Sequence, residues 1–364
     1  MSGLVDRAVN RTAHPGALPA SDSALRIHAD GPIVDLLVGS ALFRHTFLTS
    51  GGRGQVDLGR ARQAGVNVIG LTVATRFPDL RGTLSRFHFR SLGAPPSAMA
   101  TNMALAEWLI GRIDGWCERS EGGLMLVHTT ADLAKCVAAG GPVGVLLNVQ
   151  GGHVLDGDLA NIGRLQDLGV RMFAPAHVMD NALVGSSTGR GGGGLSGFGQ
   201  EVLAELEAQT LVVDLAHMSA AGIEAALPLL RRPFTLSHTG LTDVAGRSSR
   251  WRRYSAATRN IPAAVATKVG AKGGVVGVVL ATELLGSDDL ADAVTMIKAT
   301  LAAAGERNVA IGSDMDGALR ETIDVQGLPA LTSALLESGL APNTVAAVMG
   351  GNAVDLLRGA LPTA

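Results

Sequence analysis

The chain is expected to fold as a single α/β domain, a (β/α)8 TIM-type barrel, and three observations lead there. Short β-branched apolar runs recur along the sequence, each is followed by an amphipathic, helix-like stretch, and eight such runs are present. Eight parallel strands with crossover helices close a barrel. An open, doubly wound sheet is the other arrangement this alternation allows.

Residues 1–23 read as an N-terminal arm without the uninterrupted apolar stretch of a leader peptide, and residues 24–364 as the barrel. The expected strands are residues 32–38, 66–73, 143–149, 170–176, 211–216, 234–237, 274–280 and 308–313, with a large insertion between the second and third. Gly192 to Gly197 matches a Gly-x-Gly-x-x-Gly pattern by letter. It follows no strand directly and reads as a loop leading into a helix from about Phe198.

With 47% hydrophobic residues in 364, the chain is apolar enough for a large core, and its formal charge of -2 provides no basic field for nucleic acid or anionic lipid. A small molecule is the expected partner. No segment offers about 18 uncharged apolar residues in succession, so a membrane span is not expected. Cys117 and Cys136 have no metal-ligand spacing and read as buried hydrophobes, which fits a cytoplasmic setting.

The residues just past the strands carry the chemistry. Gln150 stands after the third, His177 after the fourth, His217 after the fifth, His238 after the sixth and Asp314 after the eighth. Strand C-termini converge on one face of a barrel, so these five side chains are expected around one pocket. His28-Ala29-Asp30 looks like a metal pair but precedes the first strand, at the opposite end. The segment from Gly246 to Asn260 holds five arginines with Trp251 and Tyr254. It reads as a loop over the barrel mouth that recognises an anionic small molecule. His45, His88, His128 and His153 have no matched partners at strand ends and read as structural or surface residues. Of these, His45 and His153 are the candidates for any unusual ligand set.

Taken together, "LLNVQGGHVL", "LGVRMFAPAHVMDNAL", "GLSGFGQEVLAELEAQTLVVDLAHMS", "FTLSHTG", "TRN" and "AIGSDMDG" make the chain resemble the membrane dipeptidase (renal dipeptidase) family of zinc peptidases. The similarity runs from about Ala24 to "GGNAVDLLR". It implies a barrel with two zinc ions, a bridging glutamate, and a possible homodimer. Carried over residue by residue, His217 and His238 hold the second metal and His177 contacts substrate. Arg259, with Asn260 beside it, holds the substrate carboxylate, and Asp314 shuttles protons. The family's Asp-Gly-His-x-Asp motif aligns with Asp35-Leu36-Leu37-Val38-Gly39, so the His and Asp of the first metal become Leu37 and Gly39. The bridging glutamate becomes Gln150.

A neutral amide is a poor bridge between divalent cations. The expectation is therefore one zinc or none, held by His217, His238 and Gln150. The corresponding function is a dipeptidase-type hydrolase for a dipeptide or related carboxylate-bearing amide. A zinc-free barrel enzyme with different chemistry and a non-catalytic small-molecule binder are the alternatives. On paper, Leu37→His, Gly39→Asp and Gln150→Glu together restore the ligand set.

Overall fold

The computed structural model describes residue 6 and residues 8–49, 54–78, 84–245 and 254–363. Eight parallel strands form a closed barrel: β1 (Val34–Val38), β2 (Val68–Ala74), β3 (Val143–Gln150), β4 (Val170–Ala174), β5 (Val212–Asp214), β6 (Phe234–Thr239), β7 (Val275–Val278) and β8 (Val309–Ile311). Each pairs with the next in sequence, and Ile311 of β8 pairs with Asp35 of β1 to close the ring. All eight expected runs are strands, most trimmed by one or two residues at an end, while β2, β3 and β6 run one or two residues further than expected. An additional parallel strand, Leu124–Leu126, lies along the start of β3.

Crossover helices follow the strands as the alternation requires. They include Asn102–Arg119 and Thr130–Val137 in the insertion between β2 and β3, Gly197–Ala208 after β4, Ala263–Ala271 after β6 and Leu290–Ala304 after β7. Their starts are chemically marked. Thr101, Thr129 and Ser196 each accept a backbone N–H with their side chains, satisfying a donor that the first turn leaves without a partner. The glycine-rich loop leads into the helix that begins at Gly197, one residue before the expected start.

The lower interior is apolar. Val34, Leu36, Val68, Leu146, Met172, Val212, Val275 and Ala310 form one buried cluster, closed by Ala353, Val354 and Leu357 of the final helix, Asn352–Ala360. Alternation along a strand puts Asn148 and Gln150 on the same face as Leu146, and Asp214 on the same face as Val212. Polar groups therefore succeed apolar ones as the strands rise. Arm residues Thr12–His14 pair in parallel with Glu321–Ile323. Both cysteines are free; Cys136 is buried, but Cys117 is only half-buried, because it lies off the inward stripe of its helix. Among the described residues, no helix is long and apolar enough to cross a membrane.

Candidate active site

The barrel brings the expected residues to one end. Gln150 is the last residue of β3, His238 lies in β6, and His177, His217 and Asp314 each stand three residues beyond β4, β5 and β8. All five are at most 8% exposed. His217 and Asp314 take left-handed backbone conformations, with φ of 63° and 67°. Non-glycine residues adopt these at a cost, and the neighbouring structure must hold them there.

The three histidines form a stack. Ring centroids are 4.8 Å apart between His177 and His217 and 4.9 Å between His217 and His238, both edge-on. His217 Nε2 and His238 Nε2 face each other at 3.0 Å. Behind them, Ser237 Oγ lies 2.7 Å from His238 Nδ1 and donates to Asp214 Oδ2 at 2.6 Å. Asp214 also accepts the backbone N–H groups of Ala216 and Ser237. With its one proton committed to Asp214, the Ser237 hydroxyl accepts from His238 Nδ1–H, so His238 Nε2 carries the lone pair. The proton between the rings then belongs to His217 Nε2, and His217 Nδ1, buried without a partner, is a bare acceptor.

Burial holds all three imidazoles neutral. His177 is pushed down to about 3 by desolvation, then by His153 and Arg259. His217 and His238 are driven well below the usual imidazole range by desolvation first and the Arg259 charge second. The opposite applies to Asp314. Desolvation pushes its carboxyl up to about 7, with Arg259 and a 3.4 Å hydrogen bond from Tyr254 opposing and Asp35 and Glu283 reinforcing.

Arg259 ends the short helix Ala256–Arg259 and is 1% exposed. Its Nη2 donates to the His238 carbonyl oxygen at 2.7 Å, whereas its buried Nε has no partner. Among the described residues no carboxylate lies within ion-pair distance of it. Asn260 donates to the Leu284 carbonyl oxygen, leaving its buried Oδ1 without a donor. The arginine-rich segment falls largely on residues 246–253, outside the described residues.

The first-metal end of the pocket is closed. Leu37 is 1% exposed, and a Cβ placed on Gly39 would meet backbone: Asp316 O at 2.5 Å, Asp316 C at 2.8 Å and Gly317 Cα at 2.9 Å. That backbone is itself fixed. The Asp316 carboxylate accepts from Ser40 Oγ at 2.5 Å, Arg44 Nη2 at 2.6 Å and the Gln55 N–H at 2.7 Å. Restoring an aspartate at 39 thus collides with a buried ion pair and its loop, so the ligand set that looks recoverable on paper has no room. Among the described residues no three His, Cys, Asp or Glu side chains converge to hold an ion.

The remaining histidines divide by environment. His28 bonds to Ala64 O and Thr332 Oγ1 below β1, a structural role that explains the false metal pair. His45 is exposed. His88 donates from Nε2 to Leu42 O and packs among Phe43, Phe77 and Phe89. His153 is half-buried beside His177, with Nε2 unpartnered, and is pushed down to about 4 by desolvation and Arg76. Sequence reasoning kept it only as a candidate for an unusual ligand set, because Gln150 already marks the end of β3 and His153 follows on a 3-10 turn (Gly152–Leu155). It placed Tyr254 in the loop over the barrel mouth without its bond to Asp314, and it missed the Asp214–Ser237 support. The signal was available for the support: Ser237 directly precedes His238, and Asp214 stands three residues before His217. Phe77, whose ring lies 5.8 Å from His177, was marked by nothing in the sequence.

The fold is thus a parallel (β/α)8 barrel of the TIM type that gathers imidazoles, a buried guanidinium and a protonatable carboxyl at its strand ends. The chain belongs to the membrane dipeptidase family (peptidase family M19), whose model matches residues 21–361. Dipeptidase aclJ of Aspergillus oryzae is 28% identical over 227 residues, covering 60% of this chain and 51% of the relative. An uncharacterized dipeptidase of Schizosaccharomyces pombe is 28% identical over 248 residues, covering 65% and 57%. The match therefore spans about half the length of either relative. Among solved structures, a Rhodobacter sphaeroides metallo peptidase liganded with a phosphinate mimic of L-Ala-D-Ala shares the fold, with TM-score 0.75, 23% identity, and coverage of 91% and 99%. An amidohydrolase from Pseudomonas aeruginosa does too, with TM-score 0.72, 21% identity, and coverage of 93% and 98%.

Proposed function

We propose that the chain is a dipeptidase-type hydrolase for a dipeptide or related carboxylate-bearing amide, working with at most one zinc ion. The observation that carries this is Arg259. A guanidinium 1% exposed, with a free Nε and no carboxylate at ion-pair distance among the described residues, is costly unless the ligand supplies the anion. The planar fork suits a carboxylate held through two N–H groups.

The donor set fits one ion better than two. His217 and His238 are neutral, and their Nε2 atoms, 3.0 Å apart, approach the roughly 3.3 Å that separates neighbouring nitrogens on a tetrahedral zinc. Gln150, 4% exposed with Nε2 unpartnered, offers only a neutral carbonyl oxygen as a third donor. A zinc bound there supplies a Lewis acid and lowers the pKa of a coordinated water. Asp314, with its carboxyl up at about 7, is present in both protonation states near neutrality, so it would serve as general base toward an attacking water and as general acid toward the departing amine. His177, neutral and edge-on to His217, would offer a hydrogen bond to the scissile group. Asn260 Oδ1, left as an acceptor, suits an N–H of the substrate.

The test is a panel of dipeptides and their C-terminal amides, assayed with and without added zinc, against the parent and Asp314→Asn. Turnover of free acids only, lost in Asp314→Asn, is the expected result. Equal turnover of the amides removes Arg259 as carboxylate clamp. The lack of any three converging His, Cys, Asp or Glu side chains among the described residues favours a second reading, a zinc-free carboxylate-binding pocket. Tight binding of the free acids without turnover selects it.

A further inference from the structure

We propose that Glu321, with Glu283 nearby, forms a subsite for a side-chain ammonium, so that the pocket selects a ligand whose carboxylate-bearing residue is of the lysine or ornithine class. The proposal rests on the carboxylate reading of Arg259 above and names the residue to which that carboxylate belongs.

Glu321 is 0% exposed, and both of its carboxyl oxygens are buried without a hydrogen-bond partner. Among the described residues no cation lies within ion-pair distance of Glu321, Glu283 or Asp314. Arg320, its neighbour in sequence, is paired with Asp288, and Arg44 with Asp316. Burial drives the Glu321 carboxyl well above the usual range, and Asp314 and Glu283 push it the same way. A buried carboxyl with neither donor nor cation costs stability that an apolar residue in its place would not. A ligand that brings the cation removes that cost.

The backbone directs this carboxyl to the site. Glu321 faces Ala281 across an antiparallel bridge, with Thr282 N–H donating to Arg320 O at 2.8 Å and Thr322 N–H to Leu280 O at 3.1 Å. Residues opposed in this way turn their side chains to the same face. Ala281 clusters with Val279 and Leu284, and Tyr254 packs against that cluster. Tyr254 belongs to the site: its ring is 6.5 Å from that of His217, its hydroxyl donates to Asp314 Oδ2 at 3.4 Å, and the Arg259 side chain hydrogen-bonds it. Guanidinium and acids thus share one tyrosine as neighbour.

That closeness decides which group carries the cation. In an amide substrate the α-nitrogen of the carboxylate-bearing residue is acylated and uncharged. The free amine of the other residue lies beyond the scissile group, away from the clamp. An ammonium at Glu321 with a carboxylate on Arg259 therefore comes from the side chain of the carboxylate-bearing residue. The wall suits its stem, because Ala281 and Leu284, with Tyr254 and Leu319 against them, present apolar surface to methylenes. A metal ion is the poorer guest, since among the described residues no three His, Cys, Asp or Glu side chains converge to hold one.

The experiment is isothermal titration of the parent with Nα-acetyllysine, with its uncharged isostere Nα-acetylnorleucine, and with pentylamine, which has the ammonium but no carboxylate. The parent should bind Nα-acetyllysine at least about tenfold more tightly than Nα-acetylnorleucine. Glu321→Gln and Glu321→Met should both lose that preference while binding Nα-acetylnorleucine as the parent does. Glu321→Met, which removes the unpaired carboxyl, should also melt higher than the parent, which establishes that it is folded. Arg259→Gln should weaken both acids. Equal affinity of the parent for the two acids overturns the proposal. So does a preference for Nα-acetyllysine that survives in both folded Glu321 variants. If neither acid binds, the carboxylate reading fails and pentylamine decides: binding that is lost in Glu321→Gln keeps the ammonium subsite, and no binding overturns it.

Discussion

Substituting Gly39 is the sharpest perturbation of the closed end of the pocket. Gly39 has φ of -92°, an ordinary value for any residue, so an alanine there brings no backbone strain. The whole cost is steric. The new Cβ meets Asp316 O at 2.5 Å, Asp316 C at 2.8 Å and Gly317 Cα at 2.9 Å. None of the three can rotate away, and Asp316 is held by Ser40, Arg44 and Gln55. Overpacking of a rigid interior costs about 1–3 kcal/mol, and contacts with backbone on this scale belong at the upper end. With roughly 2.1 cal/mol/K of unfolding entropy per residue, 364 residues give about 0.76 kcal/mol/K, so about 3 kcal/mol lowers the melting temperature by about 4 °C. Calorimetry of Gly39→Ala measures this directly. Gly39→Asp should be worse, since it adds a second carboxylate beside Asp316, and the triple variant Leu37→His, Gly39→Asp, Gln150→Glu should be destabilised without gaining a second ion. A Gly39→Ala protein melting within about 1 °C of the parent would mean that the 314–317 loop yields freely and that this end of the pocket is not closed.

Asp314 makes stability pH-dependent: its carboxyl, raised from 3.8 to about 7, holds a proton in the native state that the unfolded chain has lost, so stability falls as pH rises from about 4 to 7. Denaturation of Asp314→Asn across that range should give a flatter profile than the parent; parallel profiles refute the assignment. Arg259→Lys should weaken binding of a carboxylate ligand by about 1–3 kcal/mol in calorimetry by losing the planar fork, and unchanged affinity would take Arg259 out of the site. Ser237→Ala leaves His238 Nδ1 and Asp214 Oδ2 short of a partner and should cost about 1–3 kcal/mol in urea denaturation, more than Ser333→Ala, whose hydroxyl is bonded near the surface.

The barrel was legible because parallel strands buried on both faces are written as short β-branched runs, and crossover helices as amphipathic ones. The positions of His177, His217, His238 and Asp314 came from counting strands. What pattern reading did not deliver depended on contacts between residues distant in the chain. The clash at Gly39 comes from residues 316 and 317, nearly three hundred positions away, and a glycine looks tolerant until its neighbours are known. His153 lies on a 3-10 turn and Phe77 in a two-residue strand (Phe77–Pro78), both near His177 and both in elements too short for a period to mark. Arg259 was identified from the resemblance, but only its burial and unpartnered Nε make it an uncompensated cation.

Anomalous diffraction at the zinc edge, from crystals grown with zinc and N-acetylglycine, addresses the metal count and the ligand roles together. At most one peak per chain is expected, about 2.1 Å from both His217 Nε2 and His238 Nε2, with the ligand carboxylate on Arg259. Two fully occupied peaks about 3.5–4 Å apart at the barrel mouth would contradict the account.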